Sequence, residues 1–174
     1  YAVLPQPSDF EPVELCEKFK PTYIKRSERD ALVDFGQNMA GVLHLRVKGK
    51  AGTCVTLRHG EMLDNDGNLY TENLRSALST DTLILSGGED DFVPMFAYHG
   101  FRYAQISSDE PVEILSLEAQ AVHNKLKTTG EFTCSSALIN RIFKNVCWSM
   151  NSNFVSIPTD CPQRDERLGW LADA

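Results

Sequence analysis

Between Asp160 and Asp173 the sequence concentrates four carboxylates (Asp160, Asp165, Glu166, Asp173), two arginines (Arg164, Arg167) and Trp170. Acids beside an aromatic plate are what a protein needs to hold a sugar ring and protonate the oxygen of its glycosidic bond. A general acid must keep its proton near neutral pH. Neighbouring carboxylates favour that, whereas Arg164 and Arg167 pull the other way and neutralise the spectator acids. Pro162 fits the first turn of a helix or a rigid bend. If a helix runs from Glu166 to Asp173, then Glu166, Trp170 and Asp173 fall at i, i+4 and i+7 and share one stripe. Gly169 weakens that helix. The plain alternative is a solvated charge run with intrahelical ion pairs. It accounts for Asp165, Glu166 and Arg167, but not for Cys161-Pro162 or Gly169-Trp170.

Other polar clusters carry weaker signals. Asp64-Asn65-Asp66-Gly67-Asn68 resembles a calcium loop at first glance, but Gly67 falls fourth where an EF-hand needs its glycine sixth. Asn and Gly after Asp suit a tight hairpin because they tolerate positive φ, so a turn is expected. His44, His59, His99 and His123 are dispersed, with no pair at i,i+4. Around His99, the run Tyr98 to Tyr103 is aromatic, and a packed strand with a hydrogen-bonded histidine outweighs a sugar platform. No serine has nucleophile-elbow spacing. The five cysteines (Cys16, Cys54, Cys134, Cys147, Cys161) lack C-x-x-C spacing, which argues against a disulfide framework or a zinc knuckle. Most of them read as buried small hydrophobes. No metal and no cofactor are expected. The cysteine usage leans toward a reducing compartment, with the cytoplasm favoured over a secreted or periplasmic location.

These residues need elements to position them. At 174 residues, 42% hydrophobic and 24% charged, the chain can bury one domain core and part of another. A net charge of −7 argues against nucleic acid or an anionic membrane as partner. No apolar run approaches the roughly 20 residues of a membrane span. The chain starts at Tyr1 without an initiator methionine or signal-peptide core and stops one residue after Asp173, so both ends are expected to be cuts from a longer polypeptide.

Residues 1–28, with Pro5, Pro7, Pro12 and Pro21, read as a linker or the tail of a preceding domain. Residues 29–122 read as an antiparallel, jelly-roll-like β-sandwich. Val42 to Lys48 and Cys54 to His59 alternate with period two, and Thr82–Leu85, Phe101–Ile106 and Val112–Leu115 supply further short strands between Gly- and Asp-rich turns. Leu43, Leu45, Val55 and Leu57 should point inward. Residues 123–174 read as a connector and the start of an α-helical domain. Apolar residues at 138, 139, 142, 143, 146 and 150 have helical spacing behind a serine N-cap. One helix cannot bury its own stripe. It must dock on the sandwich, on another copy of the chain, or on helices beyond residue 174.

The run Asp160-Cys161-Pro162-Gln163-Arg164-Asp165-Glu166-Arg167-Leu168-Gly169-Trp170 resembles the signature of bacterial α-L-rhamnosidases of the inverting (α/α)6-barrel family. Asp34 to Gly41, Leu57 to Leu63, Asp66 to Arg75 and Phe96 to Tyr103 resemble the β-sandwich that precedes the barrel in that family, so the resemblance covers about residues 30–174. It implies an enzyme that releases terminal α-L-rhamnosyl residues from rhamnose-containing glycosides or polysaccharides with inversion. By the same resemblance Glu166 is the general acid, while Asp160, Arg164, Asp165 and Asp173 contact the rhamnose hydroxyls. Trp170 is an apolar wall of the pocket. The family spells Thr-Gly-Asp after Gly-Trp where this chain has Leu171-Ala172-Asp173. The general base is a glutamate later in the barrel, so residues 1–174 alone are expected to be inactive. Two other readings stand beside this one: a non-catalytic carbohydrate-binding sandwich, and a sandwich that serves only as a buttress.

Overall fold

The computed structural model describes residues 4, 6–7, 9–166 and 168–171. Ten strands come first: β1 (Val13–Phe19), β2 (Thr22–Arg26), β3 (Asp30–Lys48), β4 (Cys54–Gly60), β5 (Met62–Leu63), β6 (Leu69–Tyr70), β7 (Thr80–Ile84), β8 (Glu89–Phe92), β9 (His99–Ser108) and β10 (Glu113–Asn124). A single helix, α1 (Ala137–Asn153), and a small hairpin of β11 (Phe154–Val155) and β12 (Ile157–Pro158) follow. The main sheet is antiparallel and runs β1-β10-β3-β9-β4-β7, with β2 and β8 also paired to β3.

The long strand β3 curls this sheet into two leaves. Its first half, Asp30 to Asp34, pairs with β9 and β2, whereas Val42 to Lys48 pairs with β10, and Leu45 to Lys48 also with β8. The register slips between Asp34 and Met39, and Gly36 sits at the bend with φ of +76°. Glycine takes that left-handed conformation without a Cβ penalty, and the bulge re-aims the strand. The bend is tied down electrostatically. Asp34 accepts the Gly36 N–H at 2.6 Å, and Arg102 grips its carboxylate with a two-pronged fork at 2.8 and 2.7 Å. That guanidinium holds the Asp34 carboxyl below its ordinary range.

Leu43, Leu45, Val55 and Leu57 are fully buried, as their period-two alternation requires. They share one core with Ala31 and Val33 from the first half of β3, Phe101 and Ile106 from β9, and Ala119 from β10. The Asp64 loop is a turn, not a cation cage. It closes the β5–β6 hairpin with the Asp64 carboxylate accepting the N–H groups of Asp66 and Asn68. His99 is likewise buried, stacked on His59 at a centroid separation of 4.1 Å, with its Nε2 3.1 Å from Asp81.

Within residues 1–28, read from the sequence as a linker or tail, Val13–Phe19 and Thr22–Arg26 form strands. β1 lies against β10 from Val13↔Asn124 to Phe19↔Ala119, and β2 lies against β3. Prolines bracket these strands instead of dissolving them, because edge strands tolerate Pro and charged residues where central strands do not. A bulge between Leu15 and Lys18 breaks the alternation that would otherwise have revealed β1.

Helix α1 begins as its sequence indicates, with the Ser136 hydroxyl accepting the Ile139 N–H. It docks on the sandwich through a face other than its apolar stripe. Trp148 meets Phe19 edge-on at 5.7 Å and packs on the core, and Ser152 Oγ accepts the Ala40 N–H at 3.2 Å. Leu138, Ile139, Ile142, Phe143, Val146 and Met150 all remain exposed, Leu138 at 70%. Among the described residues Phe132 packs against Phe143 at 5.4 Å and Trp170 borders Val146 and Met150, and the rest of the stripe is open. No helix of the described residues is long and apolar enough to cross a membrane.

Candidate active site

The acid-rich segment is carried at the end of α1 and held by three ties. Asn124, at the end of β10, brackets Ser156 in the β11–β12 turn, accepting its N–H at 2.7 Å and donating to its carbonyl at 3.2 Å. The Thr159 N–H caps the helix by donating to the Asn153 carbonyl at 2.8 Å. Thr159 then bridges Gly169, and the Trp170 N–H reaches the Pro158 carbonyl at 3.1 Å. Residues 160–166 and 168 therefore belong to a loop closed at its base.

Over its described part, Glu166 and residues 168–171, the stripe expected from Glu166 to Asp173 is not helical. The described part is bends and an isolated bridge, and Cys161 N–H points across the loop to the Glu166 carbonyl at 3.4 Å. Once Thr159 and Gly169 pair, the backbone groups at the loop base have partners without a helix. Arg167, Ala172 and Asp173 lie outside the described residues.

Within the loop, Arg164 organises the acids. Its Nε and Nη2 donate to Glu166 Oε2 at 3.0 and 2.7 Å, and Nη2 also approaches Asp160 at 3.5 Å. Hydrogen bonding to Glu166 pushes the Arg164 guanidinium further up. Asp160, Arg164 and Glu166 thus form one group. Asp165 points away from it and accepts the Ser76 hydroxyl, and this contact first, with the nearby arginines, lowers its carboxyl. Trp170 and Asp160 share a recess of about 260 Å³ over Val146 and Met150, on the exposed side of α1. The Cys161 thiol is buried and pushed up, chiefly by desolvation, so it stays protonated. Asp160, Cys161 and Glu166 offer donor atoms close enough to share a cation. Arg164 already supplies positive charge to two of them, Asp160 and Glu166.

The sandwich takes part in this site. Arg75 donates to Glu166 Oε1, from the loop between β6 and β7. Spacing along the chain gives no sign of it, since Arg75 and Ser76 lie about 90 residues from the acids they meet. The signal that was present is compositional: an arginine and a serine in a polar, irregular loop. Gly100 on β9 makes a second contact. A Cβ there would lie 2.6 Å from the backbone N of Gln163 and 2.8 Å from its Cα, so only glycine lets the acid loop seat on the sheet.

A curled antiparallel sheet carrying one helix and a closed acidic loop defines a concanavalin-like domain joined to the beginning of a helical glycosidase domain. Residues 24–125 match the bacterial alpha-L-rhamnosidase concanavalin-like domain, and residues 127–174 match the bacterial alpha-L-rhamnosidase 6 hairpin glycosidase domain. The chain belongs to the bacterial alpha-L-rhamnosidase family. An alpha-L-rhamnosidase of Streptomyces avermitilis is 46% identical over 145 residues, covering 82% of this chain and 14% of the relative. The structure of alpha-L-rhamnosidase from Dictyoglumus thermophilum superposes with a TM-score of 0.87 at 39% identity, over 95% of this chain and 19% of that one. A Streptomyces avermitilis alpha-L-rhamnosidase complexed with L-rhamnose gives 0.84 at 40% identity, over 94% and 16%. The chain therefore spans less than a fifth of the length of these relatives.

Proposed function

We propose that this chain is the sandwich and the first part of the catalytic domain of an inverting α-L-rhamnosidase, with Glu166 as general acid. The observation that carries the reading is the convergence of Asp160 and Glu166 on Arg164 in a loop closed at its base. Asp160, Arg164, Asp165 and Asp173 contact the rhamnose hydroxyls, and Trp170 walls the pocket. An inverting glycosidase needs a second carboxylate roughly 6.5–9.5 Å from the acid to activate water. That base is assigned to the helical remainder found in the longer relatives, so residues 1–174 alone should not turn over substrate. The substrates are terminal α-L-rhamnosides. The acidic net charge speaks against nucleic acid and anionic membranes as partners. The exposed stripe of α1 is the surface through which the chain would associate, with further helices or with another copy.

The test uses the enzyme that carries this chain with the rest of its helical domain. Glu166→Gln should lower kcat by about 10²–10⁴ for rhamnosides with poor leaving groups. An activated aryl rhamnoside, whose phenolate leaves without a proton, should be far less affected. Equal slowing of both substrates would remove Glu166 from the acid role.

A further inference from the structure

We propose that Arg75 and Ser76, on a loop of the β-sandwich, are positioning residues for the glycosidase site: Arg75 orients the Glu166 carboxyl and Ser76 orients Asp165. The inference rests on the reading of Glu166 as general acid. Its basis is that two consecutive residues of one domain grip two consecutive carboxylates of the other.

The loop is built to hold that grip. Leu74 is buried at its root, and Ala77 N–H bonds back to the Leu74 carbonyl at 3.0 Å. Asn73 donates to Glu61, which in turn accepts from Asn38 beside the β3 bend. At the far end, the Ser79 carbonyl accepts the His59 N–H at 2.9 Å. Between these anchors Arg75 adopts φ of +56° and Ser79 +47°. Left-handed conformations at non-glycine residues cost energy and persist only where the surroundings enforce them. The ion pair cannot be what repays this, because exposed pairs contribute little stability, and the side chains of Arg75 and Glu166 are 59% and 40% exposed. The strained turn serves to aim the arginine.

The consequence is chemical. Arg164 occupies Glu166 Oε2 through two N–H groups, and Arg75 donates to the other oxygen, Oε1. A guanidinium has donors only, so Arg75 bonds Oε1 most strongly once the carboxyl has given up its proton. It therefore favours the carboxylate that forms as the proton passes to the departing glycosidic oxygen. The carboxylate left behind is held in one rotamer by two guanidiniums. Arg75 assists proton donation without touching the sugar.

In the enzyme with its complete helical domain, Arg75→Ala should lower kcat about ten- to a hundredfold on a rhamnoside with a poor leaving group, the scale expected of a misplaced catalytic group. KM should stay within about threefold, and an activated aryl rhamnoside should be much less slowed, a split that loss of structure alone would not produce. Arg75→Lys, which keeps a donor and charge, should recover most of the loss, whereas Arg75→Gln should not. Ser76→Ala should slow both substrates alike, since Asp165 is assigned to the sugar. Glu166→Gln is measured alongside. If Glu166→Gln shows no leaving-group dependence, the acid assignment fails first. If it does and Arg75→Ala is equal to wild type, or slows both substrates equally, the positioning role alone is refuted. Should Arg75→Ala not fold, the Arg75→Lys and Arg75→Gln pair decides by the same criterion.

Discussion

Gly100→Ala is the most direct probe of how the sandwich places the acid loop. Gly100 is not among the positive-φ glycines and pairs with Ala40 within the sheet, so alanine brings no backbone penalty. The whole effect is the space its methyl takes. The added Cβ would stand 2.6 Å from Gln163 N, against an ordinary contact that begins at 3.4 Å. The difference, 3.4 − 2.6, requires a displacement of about 0.8 Å. The atoms it meets are backbone, which cannot swing aside as a side-chain tip would. Gly100 is held in β9 by its pairing with Ala40 of β3, and β4 pairs β9 from Tyr103 onward, so the acid loop is the part that yields.

Overpacking of this kind costs about 1–3 kcal/mol, and the lower unfolded-state entropy of alanine returns about 0.4–1 kcal/mol. Net destabilisation should be at most about 2.6 kcal/mol. Activity should suffer more, because a catalytic group moved by about 1 Å can lose about a hundredfold in rate. The assay is kcat on a rhamnoside with a poor leaving group, in the enzyme with its full helical domain, beside a urea unfolding curve. A kcat within twofold of wild type would refute the claim that this contact sets the position of Glu166.

Two further outcomes test the sandwich. His59 is fully buried with a pKa lowered to about 3, first by desolvation and then by the stacked His99. The unfolded chain takes up a proton near pH 6.5 that the folded chain refuses. The contribution to stability is therefore complete above pH 6.5 and lost as pH falls toward 3, by up to about 1.4 kcal/mol per pH unit. Carboxylates held low, such as Glu118 at about 2, act in the same direction but only below their own unfolded values near 4.5. Urea midpoints between pH 6.5 and 5 should fall in wild type and flatten in His59→Gln; parallel slopes would rule this out. In the core, Leu57→Ala should cost about 2–5 kcal/mol, while Leu138→Ala on the exposed stripe should stay within about 0.5 kcal/mol in this chain. A large loss at Leu138 in unfolding experiments would mean that the stripe is covered.

What the amino-acid sequence determined by itself was local and periodic. Leu43, Leu45, Val55 and Leu57 declare their face through alternation, since a one-residue slip would turn each of them to water. Ser136 marks the start of α1, and its stripe declares a surface needing a partner. The types in the acidic segment put carboxylates, arginines and an indole within one short stretch. The tertiary structure alone decided what those types do. It closed Thr159 on Gly169 where spacing favoured a helix, and it made strands of Val13–Phe19 and Thr22–Arg26 where prolines suggested a tail. It also brought Arg75 and Gly100 to the acids, across 91 residues in the case of Arg75. Periodicity reports which side of an element meets water, a property set within a few residues. Loop closure, edge pairing and the seating of one backbone on another depend on partners far along the chain, whose approach leaves no repeat to read.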